Sequence, residues 1–137
     1  MKNIKWMAVL AFSGFFFNAC LDDEPVARVE YKNAPIDSVH IGEIRPARMV
    51  TEITTFFTRN NECEVFFDYD YQIAGKERTI TVITSNIQNG PCQEIQQVSS
   101  NLLQFKPEES GNYTFRFWSG NNENDEPQFI IHKIEIP

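Results

Sequence analysis

Asp37-Ser38-Val39-His40 gathers the three residue types of a nucleophilic triad into four positions. A triad works only if Ser can pass its proton to His while Asp steadies the far side of the imidazole. On an extended chain Ser38 and His40 share a face and Asp37 points the opposite way. The quartet therefore reads as strand surface, and no catalytic residue is assigned. The chain has no Gly-x-Ser-x-Gly elbow and no Gly-rich phosphate loop either. Further along, Asn121, Asn122, Glu123, Asp125 and Glu126 form an oxygen-rich stretch. Calcium takes such ligands, but their spacing lacks the Asp-x-Asp-x-Asp-Gly order of an EF-hand. The stretch reads as a solvated hairpin loop, with no metal and no cofactor expected. Asp68 and Asp70, two apart on one strand face, read as solvated surface and not as a paired-carboxylate site.

Trp118 offers recognition in place of catalysis. It closes an alternating run and adjoins the polar loop, on the outer face expected for Arg116. Exposed aromatics beside Asn and Asp stack on sugar rings or anchor a protein partner. Trp118, Asn121, Asn122 and Asp125 are accordingly the candidate binding residues; packing of Trp118 under the loop is the alternative.

The elements that must position these residues are strands. Ile36 to Ile44, Met49 to Thr58, Cys63 to Ile73, Glu77 to Ser85, Glu94 to Phe105, Tyr113 to Trp118 and Gln128 to Ile136 recur at intervals that favour a sandwich or barrel. In the third run Cys63, Val65, Phe67, Tyr69, Tyr71 and Ile73 alternate with Glu64, Phe66, Asp68, Asp70 and Gln72. The first set is expected in the core and the second in water, with Phe66 the one exception. Ala74-Gly75-Lys76 then turns the chain into a hairpin. Segment 94–104 is ambiguous, since Ile95, Val98, Leu102 and Leu103 fit a helical spacing about as well as a strand; a strand is expected. Gln128 to Ile136 places Ile130, His132, Ile134 and Ile136 on one face.

Composition sets the outer limits. The chain has 137 residues, 42% hydrophobic, enough for one folded domain and too apolar for disorder. Nineteen acidic against twelve basic residues give a net charge of −7, with no basic cluster, so nucleic acid is not an expected partner. At the N-terminus Lys2 and Lys5 precede an apolar run from Trp6 to Phe17. That run is about 18 Å long as a helix against a hydrocarbon core of about 30 Å, the length of a signal-peptide h-region.

Phe17-Asn18-Ala19-Cys20 resembles a relaxed bacterial lipobox of the Bacteroidetes type, with Phe17 where an aliphatic residue is usual. Leu21-Asp22-Asp23-Glu24 is similar to the acidic run that sends such lipoproteins to the cell surface. The resemblance implies cleavage after Ala19 and lipidation of Cys20, anchoring the chain in a membrane at about 0.8 kcal/mol per buried methylene. An ordinary secretory signal that leaves Cys20 as a free thiol is the alternative. The organisation expected is signal peptide 1–19, lipidated Cys20 and acidic tether 20–27, and folded domain 28–137. The location expected is the outer membrane or cell surface, with a periplasm-facing anchor as the alternative. With Cys20 acylated, Cys63 and Cys92 remain, in a compartment where disulfides persist. Their spacing is not CxxC and neither His lies near them in sequence, so a structural bridge is expected over a reactive or metal-binding pair. Asp37-Ser38-Val39 also resembles the O-glycosylation tripeptide of Bacteroidetes exported proteins. Asn112-Tyr113-Thr114 fits an N-glycosylation sequon, a match that means little in the bacterial origin the lipobox resemblance implies.

Gly111-Asn112-Tyr113-Thr114-Phe115 resembles the E–F corner of immunoglobulin-like domains, with Phe115 where antibody domains place a cysteine. That resemblance implies a Tyr113 hydroxyl reaching back to backbone near Glu108 or Glu109. The fold expected is all-β: one Ig-like antiparallel sandwich of about seven strands. It carries no activity with it. The leading functional expectation is a lipid-anchored, non-catalytic binding or accessory module for an envelope protein or glycan. An adhesin-like component pairing through an exposed strand edge is second. A small secreted-type inhibitor or enzyme is third.

Overall fold

The computed structural model describes residues 28–137. The expected signal peptide, the expected lipidation site Cys20 and the expected tether lie outside the described residues. Among the described residues there are eight strands and no helix: β1 Val29–Ala34, β2 Ile36–Ile41, β3 Thr51–Asn61, β4 Glu64–Ala74, β5 Glu77–Ile87, β6 Glu94–Phe105, β7 Gly111–Asn121 and β8 Pro127–Ile136. They form two packed sheets. The larger contains β1, β4, β5, β7 and β8; the smaller runs β2-β3-β6.

The ambiguous 94–104 segment is strand β6, paired with β3 from Thr51↔Phe105 to Asn61↔Glu94. The strand beyond the expected seven is β1. It was missed because its single buried residue is Ala34, which leaves no alternation to read. Pro35 separates β1 from β2 and moves the chain from one sheet to the other. A residue without an N–H fits where a ladder must break.

β4 pairs with β5 along Glu77 to Asn86, leaving one edge of β5 for two partners. β1 takes Val82 to Ile87, antiparallel. β7 takes Glu77 to Ile80, the one parallel pairing among the described strands. β7 reaches this sheet through the corner at residues 106–110 rather than through a hairpin, so nothing forces it antiparallel to β5. The β4–β5 hairpin turns through Gly75, whose φ of 61° lies in the left-handed region that glycine enters without steric cost.

The core lies between the sheets. Ile80, Val82, Phe115, Phe117 and Ile136 face inward from one sheet, and Ile36, Ile53, Phe57 and Phe105 from the other. Phe105 meets Phe115 edge-on, with ring centroids 4.8 Å apart, and Tyr113 at 5.1 Å. Edge-to-face pairs of this kind add about 0.5–1.5 kcal/mol beyond area burial. The hydrogen bond expected at the corner is present: the Tyr113 hydroxyl donates to the Glu109 carbonyl at 2.7 Å. Phe115 is fully buried between the sheets.

One face assignment is reversed. Between Phe66 and Asp68 the β4–β5 register slips by one residue. Glu64 and Phe66 face inward before the slip, and Tyr69 and Tyr71 after it, while Val65 and Phe67 are exposed. A bulge adds one residue to one strand, and a one-residue shift exchanges its two faces. The continuous alternation expected from Cys63 to Ile73 therefore holds only at Tyr69 and Tyr71; Ile73, expected in the core, is 66% exposed near the hairpin end of β4.

Cys63 and Cys92 are bridged, 29 residues apart, where β3 crosses into β4 and the β5–β6 loop returns. Closing a loop of that length restricts the unfolded chain by about 3–4 kcal/mol. Replacing both cysteines by Ser should lower the urea-unfolding free energy by about that amount. A loss below about 1 kcal/mol would contradict a stapling role.

Candidate functional site

The loop expected to bind is built from its own side chains. The Trp118 indole Nε1 donates to Asn121 Oδ1 at 3.1 Å, and Asn121 Nδ2 donates to Asp125 Oδ1 at 3.0 Å. Asn122 Oδ1 accepts from the backbone N–H of both Asn124 and Glu126, each at 3.0 Å. Asp125 holds a φ of 60° in the turn. The structure thus brings Trp118, Asn121, Asn122 and Asp125 together, with Trp118 half-buried and the other three exposed. Their polar atoms shape the hairpin end, as Asx side chains do in tight turns. Below the loop Arg116 lies 4.2 Å over the Phe129 ring and 3.4 Å from Glu77.

The Asp37 quartet is not drawn together as a triad. Asp37 Oδ2 accepts from the Thr58 hydroxyl at 2.7 Å, and His40 stands opposite Thr54. Asp68 Oδ1 accepts from the backbone N–H of Tyr69 at 2.8 Å. Among the described residues no group of three or more His, Cys, Asp or Glu is placed to hold a metal ion.

The bulge in β4 builds two features that the alternation concealed. Inward, Glu64 is fully buried. Its Oε2 accepts from the Asn60 N–H at 2.9 Å, and its Oε1 accepts from the Thr84 hydroxyl at 3.2 Å with Lys32 Nζ at 3.5 Å. One carboxylate so ties β1, the end of β3 and β5 to β4. A buried carboxylate is tolerated only when it is paired and hydrogen-bonded in this way.

Outward, Phe67 meets Tyr31 of β1 with ring centroids 4.6 Å apart, tilted by 56°. The two rings reach over β5, where Ser85 stands opposite both Tyr31 and Val65 and is too small to part them. Val29 and Ile87, directly paired, continue the same surface. Tyr31 and Phe67 are each 56% exposed, and Val29, Val65 and Ile87 are exposed with them. Contiguous apolar surface of this kind marks an interaction site more often than scattered apolar residues do. The signal available in sequence was the Phe66-Phe67 doublet, where Phe66 broke the expected pattern.

A cleft of about 500 Å³ opens between β4 and the β6–β7 corner, lined by Tyr69, Tyr71, Ile73, Arg78, Leu103, Phe105 and Lys106 among others. Arg78 closes its base. The guanidinium lies 5.3 Å from the Tyr113 ring and 5.9 Å from Phe105, and Nη1 donates to the carbonyls of Gly75 at 2.6 Å and Glu77 at 3.0 Å. Burial pushes the Tyr71 phenol above its ordinary value, opposed by the positive charge of Arg78. Burial also raises Tyr69, opposed by its 2.7 Å hydrogen bond with Thr55. Both phenols remain neutral at physiological pH and join the cleft wall as aromatic surface.

Comparison with protein families, characterised proteins and solved structures finds no match for this chain.

The buried carboxylate supplies a test of the bulge. Glu64→Ala removes the acceptor for the Asn60 N–H and leaves Lys32 without its partner, and should cost about 3 kcal/mol in chemical denaturation. Asp68→Ala, on the solvent side, should cost less than about 0.5 kcal/mol. The opposite order would restore the unbroken alternation.

Proposed function

We propose that this chain is a lipid-anchored envelope or cell-surface lipoprotein whose β-sandwich is a non-catalytic, immunoglobulin-like binding module, docking a partner protein on the face that carries Tyr31 and Phe67. The observation that carries this reading is the Tyr31–Phe67 contact on the exposed surface, with Val29, Val65 and Ile87 around it. The chemistry of the face favours a protein over a glycan. Its aliphatic members give sugar hydroxyls no hydrogen bonds, and its two rings are tilted rather than laid out as a stacking platform. Exposed aromatics flanked by aliphatic side chains are the composition of an interface core. The loop at Trp118 contributes less, because its hydrogen-bonding groups are engaged with one another.

The anchor supports the same reading. The lipobox-like Phe17-Asn18-Ala19-Cys20 ends eight residues before the described domain begins. The docking face starts at Val29, nine residues along the chain from Cys20.

Two measurements test the proposal. Metabolic labelling with a fatty-acid analogue should mark the wild-type chain and not Cys20→Ser, which should leave the membrane fraction. Retained label on Cys20→Ser would remove the anchor from the account. A photo-reactive amino acid at position 67 of the full-length anchored protein should give a discrete protein adduct that Tyr31→Ser abolishes. The same probe at position 123 should give little. Binding of the isolated partner should weaken at least tenfold in Tyr31→Ser, about 1.4 kcal/mol. Adducts with lipid alone, equal yields at 67 and 123, or no adduct would overturn the docking face.

A further inference from the structure

β6 ends the smaller sheet, and beyond a one-residue bulge between Glu94 and Gln97 it lacks the devices that protect other sheet-ending strands. β2 is short, carries Asp37 and His40, and has an irregular register between Ile36 and Ser38. β4 carries Asp68, Asp70 and the bulge. β8 opens on Pro127 and carries Lys133 and Glu135. β6 is Glu-Ile-Gln-Gln-Val-Ser-Ser-Asn-Leu-Leu-Gln-Phe, with Glu94 its only charge and neither proline nor glycine. Its pairing with β3 is regular from Gln97 to Phe105. From Gln97 to Phe105 the edge has no charge, proline or bulge, and a regular edge of that kind is a template for another strand.

The residues of that edge are complementary to themselves. Leu103 and Phe105 face the core, so even-numbered positions from Gln96 to Gln104 face out, and among them Val98 is 64% and Leu102 45% exposed. Two copies of β6 can pair antiparallel about a two-fold axis perpendicular to the sheet. Only a same-face register keeps inward side chains inward in both copies. Centred on Ser100, this register sets Val98 opposite Leu102 of the second copy, Leu102 opposite its Val98, Gln96 opposite Gln104, and Ser100 opposite itself. Centred on Ser99 it sets Val98 against Ser100 and Leu102 against Gln96. Centred on Val98 it sets Leu102 against Glu94. Of these, only the Ser100 register joins each exposed apolar residue to an apolar one. The antiparallel arrangement also brings the Glu94 end of one strand to the Lys106 end of the other, opposite charges at both ends.

We propose that the partner of the β6 edge is a second copy of this chain, paired β6 to β6 antiparallel about Ser100, so that the two smaller sheets become one continuous sheet. The pairing uses an edge of the smaller sheet, leaves the Tyr31–Phe67 face of the larger sheet free, and does not depend on that face being a docking site.

The register is tested by cysteine pairing in the full-length lipidated protein, since Cys63 and Cys92 are already bridged. Under mild oxidation or with a short bis-maleimide, Ser100→Cys should give a covalent dimer. Gln96→Cys and Gln104→Cys alone should give at least tenfold less, and the two mixed should link to each other. Val98→Lys with Leu102→Lys puts like charges opposite one another twice. On these solvent-facing positions it should leave the denaturation midpoint within a few degrees of wild type and abolish the Ser100→Cys dimer. Linking of Ser100→Cys no stronger than the single controls, failure of the mixed pair to link, or linking that survives the double lysine would each overturn the proposal.

Discussion

The extra residue that β4 inserts at Phe67 is the constraint on which the rest of the domain turns. Before it, Glu64 and Phe66 face the core; after it, Tyr69 and Tyr71 do. Without the slip one half of β4 would present the wrong face, because strand periodicity of two admits no partial correction. The bulge lets a single strand bury a carboxylate at one end and phenol rings at the other while pairing β5 throughout. It also turns Phe67 outward onto Tyr31, so the surface proposed to bind follows from the same irregularity that seats Glu64.

Around that point the sheets are tied by unlike means. The Cys63–Cys92 bridge joins the β3–β4 crossing to the return toward β6. Glu64 holds β1, the end of β3 and β5 through Lys32, Asn60 and Thr84. At the opposite end of the sandwich, Tyr113 bonds the Glu109 carbonyl and packs on Phe105, closing the β6–β7 corner. A domain of about 110 residues buries roughly two-thirds of its unfolded surface, a modest core that gains from such ties. Rigidity at these points frees the outer faces to carry apolar side chains that the fold itself does not need.

Much of this was legible in the residues. Tyr113, Phe115 and Phe117 alternate cleanly because β7 has one face in the core. Ile130, His132, Ile134 and Ile136 mark β8 for the same reason. The Gly111-Asn112-Tyr113 corner and the pair Cys63 and Cys92 were readable from local order and from cysteine arithmetic. The bulge was not, because the alternation expected on one side of Phe67 is as good as that found on the other. Only the apolar Phe66 among polar neighbours betrayed it. β1 escaped because Lys32 turns inward to Glu64, a long-range pairing that leaves no local period. The loop at Trp118 had the right residue types, but whether its amides face a ligand or each other depends on the turn at Asp125.

The central claim, that a bulge at Phe67 sends Glu64 in and Phe67 out, is tested most directly by thiol labelling of single-cysteine variants at positions 64 to 71 in the folded protein. The account predicts rapid labelling at 65, 67, 68 and 70 and protection at 64, 66, 69 and 71, so that two adjacent positions, 67 and 68, react together. Unbroken alternation, with 65, 67, 69 and 71 protected and 64, 66, 68 and 70 reactive, would contradict it.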